Sequence, residues 1–409
     1  MINQFAFFPT PLIKFGVGSL SELADIVKTF GTKILLVTGS ASLQQSGVLI
    51  GIEAQCSDAS IRFKHIIVTG EPTTEFIDAT VADCGAFGAD AIAAIGGGSV
   101  LDAGKAISAM LCEDGGVESY LDGGPRKPSG RKIPFVAVPT TAGTGSEATS
   151  NAVLRAPGAH GVKKSLRHVN YIPDAAVIDP GLMTGCPAAV TAACGMDAFT
   201  QLLESFVSVK ASPLTDALVT SGIAALRDNL PAAAVTRPRD LEARAGMAYA
   251  ALISGITLAN AGLGVVHGMA GVIGALFAVP HGVVCGRLVG PATKTTIKLL
   301  RAIDPEHPAL LKYASMGFFL TPSESGFIEP SFVSKSASSD RKKASMIEEG
   351  CDALLTTIAS WTERLRIPSL SGYGVTKADI DRIVAGSGNR NNPVNLDRDN
   401  IGNVVSEAL

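Results

Sequence analysis

From Ala245 to Gly286 the chain carries no Asp, Glu, Lys or Arg, a stretch longer than the roughly 20 apolar residues that cross a bilayer. A membrane or a protein interior must receive it. Glycine is frequent there, and Asn260, His267 and His281 interrupt it. Such polar groups are costly in lipid, whereas a protein core supplies them with partners, so two or more buried helices and no membrane partner are expected. The whole chain, 409 residues, is long enough for two domains. Its 17% charged residues fall below the roughly 25% of an ordinary soluble protein, which again demands extensive burial. A formal charge of -3 lacks the basic excess that binding nucleic acid requires, and that class of partner is excluded. Cys56, Cys84, Cys112, Cys186, Cys194, Cys285 and Cys351 are scattered, odd in number and without a CxxC pair. They read as reduced thiols of a cytoplasmic protein and not as a disulfide framework or zinc ribbon. The start, MINQFAFFPTPLIKFGVGSL, shows neither a basic leader nor a small-residue cleavage site, and no export is expected.

The first half alternates strand and helix signals. Lys33–Thr38, Ile61–Val68, Ala91–Ile95, Phe135–Val138 and Ala176–Ile178 are short apolar runs ended by Gly, Pro or Asp, as buried strands of a parallel sheet with crossover helices would be. After about Gly185 the pattern changes. Ala188–Val209, Leu214–Leu230, Leu241–Gly262 and Glu348–Leu365 have helical spacing rich in Ala and Leu. The expectation is therefore an α/β dinucleotide-binding domain over residues 1–185 and an all-α domain over residues 186–409. The Ser-rich run Thr321–Asp340, with Pro322 and Pro330, reads as a surface insertion.

Two loops carry the chemistry of the first half. Gly96-Gly97-Gly98-Ser99 joins a strand to a helical stretch bearing Asp102 and Lys105. Glycines at such a turn let the backbone approach an anion, and the helix start offers free N–H groups and a positive dipole end, although a plain tight turn would look the same. Pro139-Thr140-Thr141-Ala142-Gly143-Thr144-Gly145-Ser146-Glu147 follows another strand and should lie on the same sheet edge. Two such loops beyond strand ends suit a dinucleotide crevice. In the second half, His267 and His281 are each followed by Gly inside the uncharged stretch, and neutral imidazole in an apolar wall is a common metal ligand. Asp197 lies in an apolar helix and needs a partner. A divalent cation, an Arg or a helix N-terminus would each serve. Gln201, four residues on, shares its helix face.

The order GGGSVLDAGKAIS, PTTAGTGSEATSN, GMDAFTQLLES and NAGLGVVHGMAGVIGALFAVPHGVV, closed by Gly386-Ser-Gly-Asn-Arg-Asn-Asn-Pro393, resembles the iron-containing (group III) alcohol dehydrogenase family over nearly the whole chain. That resemblance implies a dehydroquinate synthase-like architecture, with NAD or NADP and a divalent metal, Fe or Zn, in the cleft between two domains. It implies an NAD(P)-dependent oxidoreductase interconverting a small-molecule alcohol with an aldehyde or ketone by metal-assisted hydride transfer. Gly97, Gly98, Ser99 and Asp102 would serve the diphosphate loop, with Thr140, Thr141, Thr149 and Lys163 along the cofactor path. Asp197, Gln201, His267 and His281 would hold the metal, with Asp197, His267 and His281 catalytic through it. A homo-oligomer, most simply a dimer, is also implied, and an apolar N-terminal strand is available to pair across subunits.

Two departures from the family pattern fall at the chemical centre. Gln201 replaces a ligating His, which weakens the site for iron or zinc and would shift its selectivity toward harder cations. Gly271 stands where many members place a further His beside the nicotinamide, which enlarges the pocket and leaves the proton path unassigned, with water in the vacated space as one candidate. Gly39, followed by Ser40, occupies the position of the acidic residue that favours NAD, so NADP(H) should be accepted, unless Gly39 is only a turn residue. The altered ligand also motivates a metal-independent reductase of an anionic oxo-acid, similar to maleylacetate reductases, with Lys163, Lys164, Arg167 and His168 as available cations. A degenerate nucleotide-binding member without catalysis is a third reading.

Overall fold

The computed structural model describes residues 4–156, 162–321 and 340–409. Eight strands are present among them: β1 (Leu12–Phe15), β2 (Lys33–Gly39), β3 (Arg62–Val68), β4 (Ala91–Gly96), β5 (Phe135–Pro139), β6 (Asn151–Ala156), β7 (Val162–Arg167) and β8 (Ala175–Ile178). Six form a parallel sheet in the order β1-β8-β5-β4-β2-β3. Every residue of β4 and β5 is buried, which is why these strands read as unbroken apolar runs: helices cover both faces. On one face Leu35, Val37, Ile92 and Ala94 pack with α5 (Gly98–Met110) and α4 (Thr74–Cys84). On the other, Ile34, Leu36, Ala93 and Ile95 pack with α1 (Leu23–Lys28), α2 (Ser42–Gln45) and α3 (Val48–Asp58).

The five strands legible in the sequence are all present. Two further features lie outside that set. The segment Leu12–Phe15 is a strand, but it pairs in register with β8 of its own chain, Leu12 opposite Ala175. The antiparallel hairpin of β6 and β7 stands apart from the main sheet, with Ala152, Leu154 and Ala156 buried between exposed Val153 and Arg155.

The change from sheet to helices occurs between Ile178 and Ala188. The helices are α6 (Ala188–Val207), α7 (Pro213–Pro231), α8 (Leu241–Ala261), α9 (Val265–Leu276), α10 (His281–Ile303), α11 (Pro308–Leu320), α12 (Asp340–Arg364), α13 (Ile380–Gly386) and α14 (Arg398–Ala408). The uncharged stretch becomes most of α8, all of α9 and the start of α10. α8 and α9 meet at 105° and bury most of their residues. Among the described residues no single helix is long and apolar enough to cross a membrane. The Ser-rich reading of Thr321–Asp340 falls almost wholly outside the described residues.

Candidate metal and dinucleotide site

Three helices meet at one buried point. α6 presents Asp197, Gln201 and Glu204 on a single face, spaced by one and two helical turns. α9 begins just after the break at Gly262–Gly264 and carries His267 in its first turn, while α10 opens on His281. Asp197 Oδ1 lies 3.3 Å from His267 Nε2 and 3.7 Å from His281 Nε2. Cys285, one turn after His281, places its Sγ 3.6 Å from each of those two nitrogens. All four donor atoms lie within 4.8 Å of one another.

Glu204 fixes the chemistry of His267. Its Oε2 accepts from Nδ1 at 2.6 Å and its Oε1 accepts from the Val266 N–H at 2.7 Å. With a proton held on Nδ1, Nε2 is the ring nitrogen left to face Asp197 and His281, as in carboxylate-oriented metal ligands. Burial alone would push the Asp197 carboxyl up, but the adjacent imidazoles of His281 and His267 outweigh it and hold the group below the usual carboxylate range. Burial likewise opposes charge on His267. Cys285, Glu204 and Asp197 nevertheless hold its pKa well above the usual imidazole value. Cys285 first, and then Asp197, raise the pKa of His281 against the opposing effect of burial. The pocket is thus an anionic hole that rewards positive charge. Asp197 and His267 are 2% and 5% exposed at the side chain, whereas His281 is 39% exposed, so the hole opens on one side only.

Both ends of the Gln201 amide are hydrogen-bonded. Its Oε1 accepts from Ser254 Oγ of α8 at 2.7 Å, and its Nε2 donates to the Thr144 carbonyl at 3.4 Å. It therefore ties α6 to the loop that follows β5. At Gly271 an added Cβ would meet nothing within 4 Å, so the space expected from the missing side chain is open.

On the sheet side, β2 and β4 are neighbours while β3 lies beyond β2, which places the topological switch point between β2 and β4. Gly39 closes β2, and Gly96-Gly97-Gly98-Ser99 leads from β4 into α5, whose N-terminus has no side-chain cap. Its first N–H groups are free for an anion. A Cβ at Gly98 would come within 2.7 Å of Thr144 Cγ2, so the absence of a side chain lets the two loops touch. Thr140 donates its backbone N–H to the Gly96 carbonyl at 2.9 Å, and Thr141 lies against Gly97.

Asp102 and Thr149 are tied into the loop that follows β5. Asp102 accepts from Ser146 Oγ at 2.6 Å and from the Val153 N–H at 3.0 Å. Thr149 Oγ1 accepts from Lys105 Nζ at 3.1 Å. Lys163, on β7, is paired with Glu71 and has Gly274 of α9 beside its Nζ. Arg167 is paired with Asp122 at 3.2 Å, and His168 Nδ1 accepts from the Asn170 N–H. Of the cations considered for an acidic substrate, Lys163 and Arg167 are therefore already paired with carboxylates.

A family model described as iron-containing alcohol dehydrogenase matches residues 10–180, and one described as Fe-containing alcohol dehydrogenase family, C-terminal, matches residues 191–409. The probable alcohol dehydrogenase EutG of Escherichia coli (strain K12) is 36% identical over 279 residues, 66% of this chain and 68% of that protein. The NAD-dependent methanol dehydrogenase of Bacillus methanolicus is 33% identical over 283 residues, 68% of this chain and 72% of that protein. A crystal structure of a 1,3-propanediol oxidoreductase superposes with a TM-score of 0.84 at 28% identity, covering 100% of both chains.

Proposed function

The chain belongs to the iron-containing alcohol dehydrogenase family, and from that premise we propose that Asp197, His267 and His281 hold its divalent cation opposite a dinucleotide seated on Gly96–Ser99 and Thr140–Thr144. The activity is NAD(P)-dependent interconversion of an alcohol and its aldehyde. The observation that carries the residue assignment is the convergence of donors from three helices on one buried point, with Glu204 orienting one of them. A carboxylate, two imidazoles and a thiol at mutual contact distance are a donor set that fits a divalent transition metal.

When bound, the cation supplies Lewis-acid stabilisation of negative charge on the substrate oxygen and the nicotinamide carries the hydride. The remaining work belongs to the chain. Glu204 keeps the His267 proton on Nδ1. The buried side of the hole excludes water, and the exposed flank of His281 admits the substrate oxygen. Gly271 has no titratable group, so proton exchange with that oxygen falls to water in the space it leaves. Gly39 presents no carboxylate to repel a 2′-phosphate, which supports NADP(H) as the preferred cofactor. Free thiols at all seven cysteines support a cytoplasmic setting, and family resemblance supports a homodimer.

The test is aldehyde-dependent consumption of NADPH and NADH before chelation, after it, and after metal is returned. Loss on chelation, recovery on readdition and faster use of NADPH are expected. Full turnover by metal-stripped protein would instead favour the metal-independent reductase.

A further inference from the structure

We infer that the Cys285 thiolate, and not the Gln201 side chain, is the fourth protein ligand of the cation site, making it an Asp-His-His-Cys centre selective for zinc-like cations. This assignment presupposes that a divalent cation occupies the cluster. Bonds of about 2.0–2.3 Å from a tetrahedral centre to oxygen, nitrogen and thiolate sulfur place neighbouring donors about 3.3–3.6 Å apart. The observed separations are 3.3 Å for Asp197 to His267 and 3.6 Å for Cys285 to either imidazole, with Asp197 to His281 only slightly longer at 3.7 Å. Four of the six donor separations thus match or nearly match a tetrahedral centre that includes Cys285, and all six lie within 4.8 Å. A buried cysteine is often just a small apolar side chain. Here, however, its sulfur is fully buried against two imidazole nitrogens, one helical turn from His281 on the same face of α10.

Gln201 is committed at both ends of its amide, to Ser254 and to the Thr144 carbonyl. Turning its oxygen toward the cluster would break both contacts and leave the Thr144 carbonyl facing no donor. Its place is that of a strut between α6, α8 and the cofactor loop. Binding through sulfur releases one proton: the thiol S–H breaks, an S–metal bond forms, and H⁺ leaves to solvent. A thiolate beside a carboxylate neutralises the two charges of the cation, which favours zinc over hard, oxygen-seeking ions such as Mg(II) or Mn(II).

The experiment loads the full-length protein with Co(II) or Zn(II) and compares it with Cys285→Ser and Gln201→Ala, after circular dichroism confirms that each variant is folded. The Co(II) protein should show a thiolate-to-cobalt charge-transfer band in the near ultraviolet. That band should persist in Gln201→Ala and vanish in Cys285→Ser. Zinc affinity in Cys285→Ser should fall by more than the roughly 10- to 100-fold associated with groups that merely orient a ligand. Metal bound at one equivalent without the band, or a band surviving Cys285→Ser, overturns the thiolate assignment while leaving the cation site in place. Failure to take up either metal overturns both.

Discussion

Glu204 is the residue on which the site's protonation state turns, because one carboxylate receives both the Val266 N–H and the His267 Nδ1–H. In Glu204→Gln the amide oxygen can serve only one of these donors, and its NH₂ group opposes the other. Partners of this kind are worth about 10- to 100-fold in metal affinity, so zinc titration of the variant by calorimetry should show a loss of that size with the fold intact. Unchanged affinity would mean that His267 is oriented by packing alone. Asp197, His267 and His281 are legible in the sequence because they are polar in an apolar run. Glu204 and Cys285 are not, since a Glu near a helix end reads as solvated and a Cys among valines reads as core. Their signal is positional: Glu204 is two turns from Asp197 and Cys285 one turn from His281. Gln201 is legible as sharing the Asp197 face, but side-chain direction depends on Ser254 and Thr144, which sequence order does not bring near it.

At the scale of elements, the 139–149 loop stands on a buried ionic bed. Lys105 of α5 donates to the Ser146 carbonyl at 2.9 Å, to the Asn151 carbonyl at 2.8 Å and to the hydroxyls of Ser146 and Thr149. Burial lowers its pKa to about 8 and raises that of Glu147 to about 7 from an ordinary value near 4.5; Asp102 and then Glu147 only partly offset it for Lys105, and a backbone hydrogen bond and then Lys105 only partly offset it for Glu147. Between pH 4.5 and 7 the folded chain therefore holds more protons at Glu147 than the unfolded chain does. Stability falls as pH rises through that window, and the cost is fully present above it. Lys105 acts in the opposite sense at higher pH: its lowered pKa makes stability rise from about pH 8 toward 10.5. Glu147→Gln should be more stable than the parent at pH 8 by about 2–3 kcal/mol, a gap that closes toward pH 5. Urea denaturation at both pH values measures it, and an equal difference at the two would show that shape and not titration sets the effect. The hairpin that closes this bed, β6 with β7, escapes sequence reading because its alternating pattern spans only six residues per strand. A single buried face of that length looks like loop.

For the whole molecule, the decisive feature is that the 139–149 loop belongs to the sheet half by connectivity and to the helical half by packing. Gly145 adopts a left-handed φ of 62° and lies directly against Gly255 of α8, where a Cβ on either residue would collide with the other's backbone. Gln201 adds a hydrogen bond across the same seam. The two halves are easily told apart in the sequence by their periodicities, but this seam is not, because it depends on two glycines far apart in the chain approaching backbone to backbone. A ligand held by the glycine corner can thus act on the helices through this seam. NADPH at 100 times its Kd stabilises the state that binds it by about 2.7 kcal/mol. If the seam couples the domains, scanning calorimetry should show one unfolding transition that moves upward as a whole with NADPH, and the same transition should move when zinc is added. Two transitions, with NADPH moving only one and zinc only the other, would mean that sheet and helices unfold independently. The cleft would then be a meeting of two separately stable bodies, and the contact at Gly145 and Gly255 would serve alignment alone.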